Sequence, residues 1–203
     1  MTNVSFYKKF MRHVKNVTKN APSTKPFFKY VKHYEDGSLA VTDGHRLYYV
    51  KDIHDKGDCL LTIDGKRAEG EYPEFNTIAK IINTSDSVFE TVVKTKEWLK
   101  AADLVSAAAK LDGYGGDTNS NAPIKWVYDS LRFKGTNVNA YVLVDKTAYD
   151  ITLNAHYLLH AIKTINLFKY ESFKISISGT YKPLVLSSLD DRFKAAILPI
   201  RTY

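Results

Sequence analysis

Apolar residues near the start of the chain recur at Phe6, Phe10, Val14 and Val17, steps of four, four and three that line one face of a helix. The spacing predicts a helix over 5–20, ended by the turn-rich break Ala21-Pro22-Ser23-Thr24-Lys25-Pro26. Beyond it the period shortens. Phe27 to Tyr34 reads as an aromatic strand, Glu35-Asp36-Gly37 as a turn and Ser38 to Thr42 as the next strand. Asp43-Gly44 lies between apolar and β-branched residues, the strongest short hairpin signal, and predicts a turn there. Strands from Leu47 to Ile53 and from Cys59 to Ile63 follow. Pro73 to Ile82 fits a short helix or an extended linker, and periodicity does not decide between them.

The second half repeats the theme. Val88 to Val93 is extended, and Lys96 to Lys110 is an Ala-rich helix with Trp98, Leu99, Ala102 and Val105 inward and Lys96 and Lys100 outside. Asp112 to Asn121 is a polar loop. Pro123-Ile124-Lys125-Trp126-Val127 then echoes Pro26-Phe27-Phe28-Lys29-Tyr30-Val31 at an offset of roughly a hundred residues, which argues for two copies of one helix-plus-hairpins unit. Ala140 to Asp145 continues the sheet. Asn154 to Asn166 is a third helix, with Leu158, Leu159, Ile162 and Ile165 inward and His156, His160 and Lys163 on an outer stripe. Lys174 to Ser178, Leu184 to Ser188 and Ala195 to Ile200 close the chain as strands. Helices alternating with groups of strands predict an α+β fold with antiparallel sheets.

Composition narrows the function. The length suits one or two domains of about 100–200 residues each, and 44% apolar residues supply a core. Cys59 is the only cysteine, which excludes a disulfide framework and a thiolate zinc cluster and fits a buried core thiol. Met1-Thr2-Asn3-Val4-Ser5 has no apolar signal segment, and no apolar run approaches the ~18 residues of a membrane span; a cytoplasmic protein with no membrane partner is expected. Against 22 Asp+Glu stand 29 Lys+Arg, a net charge of +7 that favours a polyanionic partner. The distribution says more. Lys8, Arg12, Lys15 and Lys19 recur at helical steps, with Lys9 beside them, in a segment that lacks any Asp or Glu. An ordinary solvated helix mixes both signs, so this stripe points to phosphate contact without sequence readout. Lys96, Lys100, His156, His160 and Lys163 give weaker stripes on the later helices, diluted by Glu97 and Asp103.

Catalytic chemistry is poorly supplied. His156 and His160 have metal-ligand spacing, but Tyr157-Leu158-Leu159 between them holds no carboxylate and no third ligand is indicated. Asp190-Asp191 reads as a hairpin turn between strands. Gly113-Tyr114-Gly115-Gly116 follows a helix and lacks the preceding strand and Lys-Ser/Thr of a phosphate-binding loop. Asp43 and His45 have no accompanying nucleophile. The expectation is a protein without catalytic residues, metal or cofactor, and not an enzyme.

Three segments carry a specific resemblance. Thr42-Asp43-Gly44-His45-Arg46-Leu47 resembles the hairpin of the bacterial DNA polymerase III β sliding clamp family, the rings that tether a replicative polymerase to DNA. Gly70-Glu71-Tyr72-Pro73-Glu74-Phe75 is similar to the segment joining that family's second and third domains, and Ile197-Leu198-Pro199-Ile200-Arg201-Thr202-Tyr203 resembles the terminus of Gram-positive members. All three occur in the family's order. The resemblance implies the DNA clamp (processivity) fold, with sheets outside and helices lining a hole. It assigns 1–92 to a shortened second-type domain and 93–203 to a third-type domain, since there is no room between Ile63 and Tyr72 for a further helix and strands. Such compactness suggests a phage or mobile element.

Two domains per chain imply a homo-trimer ring around duplex DNA, and a head-to-tail ring needs a matching edge at each end of the protomer. The resemblance also implies a pocket for the short Leu/Phe-containing peptides of the polymerase, clamp loader and repair proteins. Its residues are Thr42, Gly44, His45, Arg46 and Leu47 from the hairpin, Pro73 and Ile78 from the linker, and Leu198, Pro199, Ile200 and Arg201 from the terminus. Thr77 departs from the basic residue common before the apolar position. A clamp-like module that captures or inhibits host clamp-binding proteins without encircling DNA is the alternative.

Overall fold

The computed structural model describes residues 3–19, 24–115 and 121–201. The chain divides into two compact units, Met1–Asn83 with Asp190–Ala196 and Thr84–Leu189 with Ile197–Tyr203.

The first unit opens with α1 (Asn3–His13) and α2 (Lys15–Lys19), where periodicity predicts one helix. The break is at Val14: its own N–H still reaches Phe10 O, but Val17 N–H bonds Val14 O only three residues back, a tighter turn. Phe10, Val14 and Val17 are fully buried as the pattern requires. Ala21, Pro22 and Ser23 of the expected break lie outside the described residues. Phe27 does not begin a strand. Pro26, with φ fixed and no N–H to donate, starts a 3-10 turn over Pro26–Lys29 that buries Phe28. The strands are β1 (Tyr30–His33), β2 (Leu39–Thr42), β3 (Arg46–Val50), β4 (Cys59–Thr62) and the two-residue β5 (Arg67–Ala68). Cys59 on β4 is half-buried, not the core thiol expected, because it stands at the strand's first position. The undecided segment is a helix, α3 (Phe75–Ile81), anchored by buried Ile78 and Ile82.

The second unit contains β6 (Phe89–Lys94), α4 (Thr95–Leu111), β7 (Pro123–Val127), β8 (Ser130–Lys134), β9 (Asn139–Leu143), β10 (Ile151–Asn154), α5 (Ala155–Leu167), β11 (Ser172–Ile177) and β12 (Leu184–Ser188). The last strand, β13 (Phe193–Ile197), extends the first unit's sheet in the order β5-β4-β1-β2-β3-β13, with Lys51 N–H bonded to Arg192 O and Phe193 beside Tyr48. In the second unit β11 pairs antiparallel with β12 and β6, and a separate antiparallel sheet runs β10-β7-β8-β9. Its core is built on Trp98 and Trp126, rings 4.9 Å apart edge to face, whose indole N–H groups donate to Asp145 Oδ2 and Asp145 O.

Asn154 caps α5: its Oδ1 accepts from the N–H groups of His156 and Tyr157. Gly113 ends α4 at φ +90, its N–H on Lys110 O and that of Tyr114 on Ala109 O, a Schellman pair. The glycine there terminates a helix; Gly116 of the same run lies outside the described residues. Asp190-Asp191 forms the expected turn, Asp190 Oδ1 accepting from Arg192 N–H. Three strands, the short β5 and the longer β8 and β10, escape the sequence reading, and Leu99 is only half-buried.

Beneath α1, Tyr7 Oη lies 2.8 Å from His33 Nε2 and His33 Nδ1–H donates to Val31 O (3.1 Å), so in the neutral ring Nε2 accepts from the Tyr7 hydroxyl. His33 is fully buried, its ring 4.7 Å from that of His54. Burial, then the neighbouring His54, with Lys56 and Lys32 adding to it, lowers its pKa from 6.5 to about 4. The unfolded chain therefore binds a proton that the folded chain refuses between these values. Stability is full above pH 6.5 and falls as pH drops toward 4, by about 3 kcal/mol in all. His33→Gln, which keeps an acceptor for Tyr7, is expected to flatten that slope in denaturant titrations run from pH 7 to 4.

Candidate functional site

In β2 and β3 every residue is buried, and Thr42 lies opposite Leu47 at the hairpin's end. The turn is centred on Gly44-His45, one residue later than Asp-Gly suggests. Gly44 has φ +89 and His45 does not share the left-handed region, the pattern of a type II′ turn with glycine at its first central position. A Cβ at Gly44 would sit 3.0 Å from Phe28 Cε2, so the tip also presses on the 3-10 turn. Asp43 organises the loop. Its Oδ1 accepts from the N–H groups of His45 and Arg46, both at 3.0 Å, and its Oδ2 accepts from Arg46 Nε at 3.0 Å. Thr42 Oγ1 donates to Arg46 O (2.7 Å) and accepts from Gly44 N–H (3.0 Å).

This geometry changes the roles expected of the hairpin residues. Arg46 is 2% exposed and its Nε is spent on Asp43, so it holds the loop in place and does not present a donor at the surface. Leu47 and Thr42 are buried as well, whereas Gly44 and His45 are exposed at the tip. The linker is tied to the hairpin by Tyr72, whose O–H donates to Ala40 O (3.3 Å) and whose ring meets Phe27. Pro73 is half-buried and Ile78 buried. In the second unit, Leu198 is 42% exposed, Pro199 and Ile200 are half-buried and Arg201 is exposed; Ile200 N–H bonds Thr152 O on β10. Thr202 and Tyr203 of the terminal motif lie outside the described residues.

The cationic residues divide. Lys8, Arg12, Lys15 and Lys19 are all exposed on α1 and α2, and Lys96 and Lys100 on α4. Lys163 is exposed but sits 3.6 Å from Asp103, and His160 is half-buried. His156 corrects the outer stripe: it is buried where α4 packs on α5, bonded through Nδ1 to Ser106 Oγ at 2.8 Å. Helix α5 is buried around most of its circumference, which a one-face reading of its periodicity does not anticipate. A half-open cavity of about 750 Å³ lined by Lys94, Lys96, Glu97, Lys169, Tyr170 and Glu171 was not legible, because its residues come from the ends of two helices far apart in sequence.

No family model and no curated protein matches the sequence. Solved structures do match. The DNA polymerase sliding clamp of Bacillus subtilis aligns over 100% of this chain and 64% of its own, with a TM-score of 0.70 at 18% identity. This is the sliding-clamp fold. The DNA polymerase III beta chain of Streptococcus pneumoniae aligns over 96% of this chain and 63% of its own (TM-score 0.69, 18% identity), and the beta sliding clamp of C. crescentus over 96% and 64% (0.68, 15%). The chain thus spans a little under two thirds of the length of these clamps. The α+β clamp fold expected from the hairpin, linker and terminal motifs is the one observed, at identities where likeness is a matter of fold alone.

Within the clamp fold, the Asp43–Arg46 pair is the test of the hairpin. Removing one partner of a buried ion pair leaves an uncompensated charge. Asp43→Ala is expected to cost about 3 kcal/mol and His45→Ala, at the exposed tip, less than about 0.5 kcal/mol, both read from chemical unfolding.

Proposed function

We propose that this protein is a non-enzymatic DNA sliding clamp, a processivity factor that encircles duplex DNA and tethers a replicative polymerase. The observation that carries the reading is the clamp fold over the whole chain, and the exposed cations Lys8, Arg12, Lys15 and Lys19 support it. Lys96, Lys100, His160 and Lys163 add weaker phosphate contacts; His156, buried, is withdrawn from that set. Each exposed cation near the backbone displaces condensed counterions and adds to affinity without reading bases. The assignment of 1–92 and 93–203 to two clamp domains and the closure of three chains into a ring belong to the same proposal, as do a clamp loader as partner, cytoplasmic residence and a phage origin.

The peptide-site residues in this reading are Gly44, His45, Pro73, Ile78, Leu198, Pro199, Ile200 and Arg201, with Thr42, Arg46 and Leu47 holding the hairpin. Exposed Leu198 is the apolar anchor and Arg201 the exposed donor for peptide carbonyls or carboxylates. A fluorescent Leu/Phe-containing clamp-binding peptide is expected to bind, and Leu198→Ala to weaken it about tenfold or more, the worth of one well-filled apolar contact. Unchanged affinity in that variant refutes the site. On duplex DNA, replacing Lys8, Arg12, Lys15 and Lys19 together by Ala is expected to lower the slope of log affinity against log salt by about 3 to 4, at ~0.9 per phosphate contact. Peptide binding with no duplex binding at any salt concentration favours the peptide-capturing module instead.

A further inference from the structure

The sheet β10-β7-β8-β9 has two unlike faces. Ile124, Trp126, Leu131 and Phe133 point into the core and are buried. The alternate positions, Lys125, Arg132, Lys134, Asn139, Tyr141 and Leu143, are exposed. Strand register joins them: Lys125 lies opposite Arg132, Arg132 opposite Tyr141 and Lys134 opposite Asn139, so Lys125, Arg132 and Tyr141 form one row across three strands. At the usual strand spacing that row is about 10 Å long. No Asp or Glu occurs in β7, β8 or β9.

The face is also ordered. Arg132 Nε donates to Ser130 Oγ (2.9 Å), and its guanidinium lies 5.4 Å from the ring centre of Tyr141, which is 56% exposed. At the β7–β8 turn Tyr128 repeats the arrangement: it is 55% exposed, with Lys146 Nζ 5.0 Å over its ring. Tyr128 has φ +51, a conformation that bulky side chains rarely adopt, and it is held by Thr147 N–H on Tyr128 O. Two exposed rings, each beside a cation, and two further strand cations, Lys125 and Lys134, offer stacking planes and phosphate partners; the one carboxylate at the β7–β8 turn, Asp129, lies near Lys146.

We propose that this face binds single-stranded nucleic acid, with Tyr141 and Tyr128 stacking on bases and Lys125, Arg132 and Lys134 meeting phosphates. Flat antiparallel sheet suits such a strand, because unpaired bases can lie on exposed rings while the backbone tracks the cations. A duplex hides its base faces and an acidic peptide has few rings to stack, so charge and aromatic exposure together favour the single strand. The face shares no residue with the α1–α2 stripe and does not rest on the clamp reading.

The test uses a fluorescein-labelled oligothymidylate and anisotropy at several salt concentrations. Tyr141→Ala is expected to weaken binding by roughly tenfold, while Tyr141→Phe, which keeps the ring, retains it. The Lys125→Ala, Lys134→Ala double variant is expected to lower the salt slope by about 1.4, at ~0.7 per single-strand phosphate contact. These residues are exposed, so thermal melts of the variants should match the parent. Oligothymidylate affinity unmoved by the sheet variants overturns the proposal, as does equal loss in Tyr141→Phe and Tyr141→Ala. Loss only when Lys8, Arg12, Lys15 and Lys19 are replaced assigns single-strand binding to the α1–α2 stripe and overturns it equally.

Discussion

The hairpin between β2 and β3 depends on one buried carboxylate. In an ordinary half-buried sheet, register is enforced because a one-residue slip turns the apolar face to water. Here every residue of both strands is buried, so alternation supplies no such penalty. Register must come from the turn. Asp43 provides it, binding two backbone N–H groups and the Nε of Arg46, whose burial is tolerable only with that partner. Once the turn is set, Gly44 meets Phe28 and Ala40 O receives Tyr72, so the 3-10 turn and the linker are both positioned from the same hairpin.

That dependence explains which parts of the molecule could be read in advance. Elements with a strong period were legible: Leu158, Leu159, Ile162 and Ile165 define α5, and Asn154 marks its start. Segments governed by local chemistry shifted. Pro26 turned an aromatic strand into a helical turn, and Gly44 moved the hairpin's centre by one residue. Strand β10, Ile-Thr-Leu-Asn, is buried throughout and so shows no alternation to find, whereas β8 alternates over only a few residues. His156 illustrates the harder limit. Its helical spacing with His160 and Lys163 is real, but a helix buried around most of its circumference has no polar face to assign from spacing alone.

Charge is distributed with similar economy. Helices α1 and α2 keep their apolar side inward and place five cations outside without an acid in the segment, an arrangement suited to a uniform polyanion. The second unit places its cations differently, on alternate positions of β7 and β8, beside tyrosines. Stripe and face call for different partners, since one offers charge alone and the other charge with exposed rings. Asp43, Asn154 and the half-buried Asp145 are engaged in loop, cap and core contacts.

The central claim is that chains assemble into a closed clamp, and the most direct measurement is solution mass by light scattering over a concentration series. A mass near three chains, constant on dilution into the micromolar range, is the predicted result. A mass of one chain at the highest concentration contradicts the self-assembling ring.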